Sequence, residues 1–221
     1  SWEMAYEKIA GHLTKLKSPH EAVFYTSGRT SNEAAFLYQL LVREYGTNNL
    51  PDCSNMCHES SGVALGEALG IGKGSVTLED VHNAEVLIIL GQNPGTNHPR
   101  MLTALQKAKA NGATIIAVNP LRETGLLNFL NPQTVKGVLQ VETHLTDIFL
   151  QVKINGDMAL LKAIALLLLE EEEKNPGTVF DHDFIATSTL DYADYIQHLR
   201  QHNFAALAAA CGVAPELIRQ A

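Results

Sequence analysis

Two short apolar runs separated by one helical stretch constrain the fold of this chain more than any other feature. Residues 85–90 (EVLIIL) and 114–118 (TIIAV) have the length and the branched aliphatic content of buried strands. Residues 99–112 predict a helix between them, because proline is favoured at a helix start and glycine just past a helix end. A strand, a crossover helix and a second strand predict a right-handed, parallel βαβ unit.

The rest of the chain continues the alternation of strands and helices. We predict helices at 2–16, 30–45 and 60–69, the second with a capping box of Thr30 and Glu33. Further strands are predicted at 22–25 and 149–154, with a long helix from Asp157 and more helices from Asp181 onwards. The predicted fold class is therefore α/β: a parallel, doubly wound, Rossmann-like sheet with helices on both faces and a helical C-terminal tail.

Polar loops follow three of the predicted strands, at 27–31, 91–99 and 119–123. Ligands of open parallel sheets bind outside the carboxyl ends of the strands. The loop at 91–99 (GQNPGTNHP) has glycines that permit close backbone approach, and Asn93, Thr96 and Asn97 offer hydrogen bonds without bulk. An ordinary βα turn with an Asn or His N-cap explains part of this loop, but its length favours a binding loop for an extended anionic ligand.

Reactive side chains concentrate at 52–59 (DCSNMCHE). A neighbouring imidazolium or a bound metal favours the thiolate form of a cysteine, and a thiolate suits a soft transition metal. Cys57 adjoins His58 in this way, although a zinc site and ordinary thiols remain alternatives. Zinc is less favoured, because no second Cys/His pair stands at ligand spacing. Three cysteines are too few for a disulfide framework and fit the reduced thiols of a cytoplasmic protein.

Charge and hydropathy argue against two classes of partner. The net charge is −8 and there is no basic run, so nucleic acid is not an expected partner. Backbone amides and helix N-termini can still hold a small phosphate-bearing cofactor. The most apolar run, at 158–170, is too short to span a bilayer, and the start of the chain lacks a signal-peptide pattern. We therefore expect no membrane partner and a cytoplasmic location.

Four long motifs resemble one known family. They are FYTSGRTSNE at 24–33, GTNNLPDCSNMCH at 46–58, GQNPGTNHPRML at 91–102 and VNPLRETGL at 118–126. In order and spacing they resemble the YdeP-like branch of the formate-dehydrogenase-type molybdopterin oxidoreductases. The resemblance covers nearly the whole chain, as far as Cys211 and the final predicted helix.

The resemblance implies a molybdenum bis(molybdopterin guanine dinucleotide) cofactor, with Cys57 as the molybdenum ligand and His58 handling a proton. At the family's acid-Pro-Arg pattern, Leu121 stands in the place of the arginine and Arg122 follows it. The loop around Arg29 differs by one position from the formate dehydrogenase arrangement. The residues that the resemblance assigns to cofactor binding are Gly28, Arg29, Asn32, Gly91, Asn93, Pro94, Thr96, Asn97, His98, Asn119, Pro120, Arg122, Gly156 and Asp157.

The resemblance also implies that the chain is a central fragment of a longer enzyme. Residues 1–60 would begin its active-site α/β domain, and residues 61–221 would form a dinucleotide-binding-like α/β domain with C-terminal helices. A 4Fe–4S cluster would belong to a preceding N-terminal segment. The enzyme would oxidise a small-molecule substrate, formate by analogy, and pass the electrons to an acceptor that the sequence does not identify.

On its own the chain is expected to be inactive and to hold no cofactor. In the family the bis-dinucleotide lies between two domain halves, so a fragment would lack many of the contacts that retain it. The seam exposed in such a fragment would be apolar and would favour a homodimer. The alternative is a non-catalytic nucleotide-binding or partner-docking module, which has no chemical use for the pair of Cys57 and His58.

Overall fold

The computed structural model of the protein describes residues 1–26, 30–51 and 57–221, which form two compact units. The units are Ser1–Ser75 and Val76–Ala221. The first contains α1 (Trp2–Leu13), a short 3-10 turn (Pro19–Glu21), α2 (Asn32–Tyr45) and α3 (Glu59–Leu69). Helix α3 lies within the first unit, and the division predicted after residue 60 stays a prediction. The assignment of the units to parts of an active-site domain stays a prediction.

The N-cap of helix α2 is one residue later than predicted. The hydroxyl of Ser31 accepts a hydrogen bond from the amide of Ala34 at 3.3 Å, so Ser31 is the N-cap. The predicted capping box of Thr30 and Glu33 is therefore wrong, and Thr30 bonds the Thr26 hydroxyl at 2.7 Å instead. The helix ends at Gly46, whose φ of 101° is one that glycine adopts most readily.

The strand predicted at 22–25 does not form. This segment is extended, and the Phe24 amide donates to the Asn49 carbonyl at 2.9 Å, but no ladder of such bonds develops among the described residues. Ala22 is buried, while Val23 and Tyr25 are exposed, so the run of apolar residues does not lie inside a sheet. The prediction that this apolar run is a buried strand is therefore wrong.

A three-stranded parallel sheet organises the second unit. It comprises β1 (Val86–Leu90), β2 (Thr114–Val118) and β5 (Ile148–Leu150), in the order β1-β2-β5. Ile88 pairs with Ile116, and Ile116 pairs with Ile148, in parallel register. The prediction of β1 and β2 as adjacent parallel strands is confirmed. The strand predicted at 149–154 is shorter and begins one residue earlier.

Helices cover both faces of the sheet through the alternating side chains of β2. Ile115 and Ala117 belong to an apolar cluster with Leu102 and Leu105 of helix α6 (Met101–Ala110). Ile116 and Val118 belong to a second cluster, which includes residues of the helical C-terminal part. Because successive side chains of a strand point to opposite faces, β2 has helices on each side. This confirms the predicted doubly wound α/β fold.

Strand β1 is an edge strand and is less buried than the sequence predicts. Val86, Ile88 and Leu90 are 55%, 45% and 38% exposed, whereas Ile89 on the other face is buried. Among the described residues β1 pairs with β2 alone, so one of its sides is left without a strand partner. Its apolar sequence alone could not distinguish an edge position from a central one.

The remaining elements of the second unit are short helices, one antiparallel pair and a helical tail. The tail begins with α9 (Asp157–Lys174), which is long as predicted and packs on the sheet through Leu160, Ala163 and Leu166. No helix in the described parts of the chain has both the length and the apolar character needed to cross a membrane. The remaining elements are α4 (Leu78–Asn83), α5 (Pro94–Asn97), α7 (Thr124–Leu127), β3 (Asn128–Phe129), α8 (Val135–Val138), β4 (Thr143–His144), α9 (Asp157–Lys174), α10 (His182–Ser188), α11 (Tyr192–Leu199), α12 (Phe204–Cys211) and α13 (Pro215–Gln220).

One buried carboxylate organises the connection between α9 and α10. Glu172 accepts hydrogen bonds from the amides of Gly177, Val179 and Phe180, the last two at 3.0 Å. The Nε2 atom of His182 lies 2.7 Å from the same carboxylate. The Gly177 amide, followed by His182, lowers the pKa of Glu172 from 4.5 to about 2. The connection is thus folded around one negative charge.

This arrangement predicts a stability difference that depends on pH. A lowered pKa in the folded state stabilises the fold fully above pH 4.5, and the contribution is lost as the pH falls toward about 2. We expect Glu172→Gln to melt at a lower temperature than the wild type at neutral pH, with the difference shrinking through that acidic range. Glu170→Gln is the control, because Glu170 makes no hydrogen bond to the described residues. Calorimetry across this pH range measures the melting temperatures. A difference between wild type and Glu172→Gln that stayed constant with pH would contradict the prediction.

Candidate cofactor-binding site

Two of the predicted binding loops leave adjacent strands at the same edge of the sheet. The loop at 91–99 follows β1, and the loop at 119–123 follows β2. The Gly91 amide donates to the Val118 carbonyl at 2.9 Å, which continues the strand pairing to the start of the loops. Gly91 has a φ of 62° and turns the chain out of the sheet at this point. The structure therefore brings these two loops together at the carboxyl ends of parallel strands.

Two glycines bring the short helices α5 and α7 into direct contact at this edge. A Cβ atom added to Gly95 in α5 would lie 2.5 Å from the Cα atom of Gly125 in α7. A Cβ atom added to Gly125 would overlap Oδ1 of Asn93. The two backbones therefore touch, and neither glycine leaves room for a side chain. Gly125 was not among the predicted site residues, although it lies near the end of the VNPLRETGL motif.

The loop after β1 uses Asn93 to hold its own shape. Asn93 is buried, and its Oδ1 atom accepts the Thr96 amide at 3.2 Å as the N-cap of α5, while Pro94 is buried at the first helical position. Thr96 and Asn97 are both exposed, and their side chains have no hydrogen-bond partner among the described residues. The N-cap interpretation thus accounts for Asn93, and the polar groups left for a ligand are those of Thr96 and Asn97.

His98 closes the same loop. Its Nδ1 atom lies 3.0 Å from Nε2 of Gln92, so the two ends of the loop are joined by a side-chain hydrogen bond. Both residues are accessible, with His98 exposed and Gln92 half-buried. The bond constrains the imidazole and keeps the loop from opening.

The loop after β2 is held by the buried side chain of Asn119. Its Nδ2 atom donates to the Leu121 carbonyl at 2.7 Å and to the Glu123 carboxylate at 3.1 Å. Its backbone amide donates to the Leu150 carbonyl of β5 at 3.2 Å. Asn119 therefore fixes the loop to itself and to the sheet, and its Nδ2 hydrogens are already used within the chain.

Residues at and after β5 brace this loop from the side. Gln151 donates its Nε2 hydrogen to the Pro120 carbonyl at 3.0 Å. The guanidinium of Arg122 lies 5.2 Å from the centre of the Phe149 ring, within the range of a cation–π interaction. Arg122 is exposed and has no ion pair with the described residues. Gln151 and Phe149 were missed from the sequence, because nothing in their local pattern shows which loop they contact.

The predicted contact residues Gly156 and Asp157 follow β5, the third strand of the sheet. A Cβ atom on Gly156 would lie 2.9 Å from the Cα atom of Cys211, so the glycine permits α12 to pack against this turn. Its amide also donates to the Lys153 carbonyl at 2.8 Å. Asp157 is the first residue of α9 and is half-buried. Packing accounts for the glycine, and a role of either residue in cofactor binding stays a prediction.

The predicted catalytic pair belongs to the first unit. Cys57 has a free, exposed thiol, and His58 is the N-cap residue of α3, where its side chain makes no capping hydrogen bond. Asn32 is the exposed first residue of α2, whereas Gly28 and Arg29 lie outside the described residues. No group of three or more His, Cys, Asp and Glu side chains in the described ranges is arranged to hold a metal.

The sequence profile described as "Molybdopterin oxidoreductase" matches residues 1–175. The chain belongs to the molybdopterin oxidoreductase family. It is 57% identical over 213 residues to an uncharacterized oxidoreductase of Mycobacterium tuberculosis, a match that covers 96% of this chain and 27% of the relative. It is 49% identical over 197 residues to Protein YdeP of Escherichia coli, a match that covers 87% of this chain and 26% of that protein. The chain thus spans about a quarter of the length of these relatives.

Two further proteins that are similar to this chain have a named activity, and one of them has a known structure. The chain is 31% identical to the alpha subunit of F420-dependent formate dehydrogenase 1 of Methanococcus maripaludis over 222 residues, all of this chain and 29% of the subunit. Acetylene hydratase from Pelobacter acetylenicus superimposes on the whole chain with a TM-score of 0.57 and 17% identity, over 27% of its own length. At that identity the superposition supports the α/β fold alone.

The glycine contact predicts a specific sensitivity at the sheet edge. We expect Gly95→Ala to destabilise the protein by about 1–3 kcal/mol, because the added methyl group meets backbone that cannot move aside freely. Asn97→Ala, two residues along the same short helix, should change stability by less than about 0.5 kcal/mol because Asn97 is exposed. Urea unfolding followed by circular dichroism compares the two. Equal stability of the two variants would show that α5 and α7 do not meet at Gly95.

Proposed function

We propose that this chain is the part of a molybdenum-dependent oxidoreductase that binds a molybdopterin guanine dinucleotide, with Cys57 as the molybdenum ligand. The observation that carries the proposal is the pair of loops joined at the carboxyl ends of β1 and β2. Membership of the molybdopterin oxidoreductase family supports a molybdenum–pterin cofactor. The guanine dinucleotide form and the ligand are inferred from the chemistry of the loop residues and of Cys57.

The chemistry of the loop residues suits a dinucleotide. Thr96 and Asn97 offer accessible polar groups beside a backbone that has no side chain at Gly95. Arg122 offers a guanidinium that the Phe149 ring orients and that no carboxylate among the described residues neutralises. Pyrophosphate oxygens are good acceptors for both kinds of donor, and a guanidinium can bind two of them at once. The internally bonded Asn93 and Asn119 keep these groups in place.

Cys57 and His58 suit the reacting end of the cofactor. A thiol that is free and exposed can be reached by a metal, and its thiolate is a suitable ligand for molybdenum. When bound, the molybdenum–pterin group supplies the oxidation–reduction chemistry, while the protein provides ligation and orientation. His58 is exposed next to that ligand, and its imidazole carries away the proton that substrate oxidation releases.

Formate is the substrate that we propose for the enzyme of which the chain is part. The support is the 31% identity to a formate dehydrogenase alpha subunit across the full length of this chain. Oxidation of formate to carbon dioxide would release two electrons, which the cofactor held by Cys57 would accept, and one proton, which would pass to His58. A 4Fe–4S cluster elsewhere in the enzyme would carry the electrons onward.

The first test addresses the metal ligand in the full-length protein. We expect Cys57→Ala to lose bound molybdenum and formate oxidation together, because a methyl group cannot replace the thiolate. Ser61→Ala is the control, since Ser61 is an exposed residue of α3 and should keep both. Elemental analysis by mass spectrometry gives molybdenum and iron per chain. Full molybdenum content and activity in Cys57→Ala would refute the assignment, and wild-type protein with zinc alone would favour the non-catalytic binding module.

The second test addresses the loop after β2. We expect Arg122→Gln to weaken retention of the cofactor by about 1.5–3 kcal/mol, the value of a hydrogen bond to a charged group. Arg219→Gln is a matched control, because Arg219 also lies over an aromatic ring, at 4.6 Å from the centre of Phe204, and belongs to neither of the two loops. Guanine nucleotide remaining in the protein after prolonged dilution is the measurement. Equal retention in both variants would remove Arg122 from the site.

A further inference from the structure

Three nitrogen atoms meet on the surface of the helical C-terminal part, among residues that belong to neither of the loops after β1 and β2. The Nζ atom of Lys162 lies 2.9 Å from Nε2 of His198 and 3.2 Å from Nε2 of His202. The two Nε2 atoms lie 3.2 Å from each other, and the rings are nearly perpendicular at 81°. Lys162 belongs to α9, His198 to the last turn of α11, and His202 to the turn after that helix.

These distances decide which of the three groups donates a hydrogen bond and which accepts one. A lysine ammonium has three hydrogens to donate and no acceptor, so each Nε2 atom that contacts it must present a lone pair. Each Nε2 atom therefore accepts a hydrogen bond from the ammonium, and the hydrogen of each ring lies on Nδ1. The Nε2 lone pairs of His198 and His202 both point to the ammonium of Lys162, which is the positive charge between them.

The distance between the two Nε2 atoms is one that is found when two imidazoles bind the same metal ion. A metal bound to two imidazoles at about 2.05 Å holds the nitrogens roughly 2.9 Å apart at a right angle and roughly 3.4 Å apart at the tetrahedral angle. The observed 3.2 Å lies between these values. Without a cation between them, two lone pairs at this distance repel each other. The pair is therefore arranged as a chelate, with a lysine in the place of the metal.

Packing holds the two histidines in position. Ile196 and Leu199, on either side of His198, are buried in the apolar cluster that includes α9. The His202 amide donates to the Leu199 carbonyl at 3.1 Å, which fixes the turn that carries the second ring. Arg200, between the histidines, is paired with Glu173 at 2.6 Å, so its charge is compensated. Little reorganisation is needed for both rings to keep their separation.

We propose that His198 and His202 form a binding site for a divalent transition-metal ion such as Zn²⁺, which enters by displacing the ammonium of Lys162. The two imidazoles are the protein ligands, and water completes the coordination, since no third His, Cys, Asp or Glu in the described chain joins them. Imidazole nitrogen is a favourable ligand for zinc, copper and nickel. The site is independent of the molybdenum chemistry proposed for Cys57.

Zinc titration of the full-length protein by isothermal calorimetry tests the site. We expect His198→Gln and His202→Gln each to weaken one Zn²⁺-binding event at least tenfold. Lys162→Met should strengthen the same event at least tenfold, because the competing cation is removed and both lone pairs become available. His12→Gln is the control, as an exposed histidine of α1 that makes no side-chain hydrogen bond to the described residues. It should leave the titration unchanged.

The lysine variant separates this proposal from its alternatives. If Lys162→Met fails to strengthen the event, the ammonium does not occupy the metal position and the proposal is wrong. Zinc binding that is the same in the wild type and both histidine variants would also overturn it, and would assign the binding to other residues, such as Cys57. Circular dichroism of each variant should match that of the wild type, which confirms that the folded protein is being titrated.

Discussion

The parallel pairing of β2 between β1 and β5 is the constraint on which the second unit depends. Every residue of β2 from Ile115 to Val118 is buried, and successive side chains belong alternately to the apolar clusters on the two faces. Because the strands are parallel, their carboxyl ends lie at one edge, and every chain segment that leaves them must begin there. The two loops, their glycine contact and the turn at Gly156 are consequences of that single arrangement.

Periodicity and end signals in the sequence predicted most of this unit. The strand at 114–118, the long helix from Asp157 and the parallel order of β1 and β2 follow from apolar runs bounded by proline and glycine. What the sequence could not predict was the extent of burial. Val23 and Ile88 lie in equally apolar runs, yet both are exposed, because burial depends on which partners a segment meets in three dimensions.

The same limit applies to the candidate site. The polar loops could be located from the strands that precede them, but the partners of their side chains could not. Asn93 and Asn119 were predicted to bind a cofactor, which stays a prediction, and the sequence did not reveal that both side chains also bond within their own loops. Phe149 and Gln151 support Arg122 and Pro120 from a part of the chain some thirty residues further on, a contact that no local pattern encodes.

The internal bonds of Asn93 and Asn119 have a consequence for how fast a ligand leaves. The conformational entropy of these loops is lost when the chain folds, and a ligand that arrives later does not have to order them again. Such preorganisation makes the free energy of binding more favourable without adding contacts. Among related complexes, differences in affinity of this kind lie mostly in the dissociation rate. For the cofactor proposed above, such an edge would favour slow release over rapid exchange.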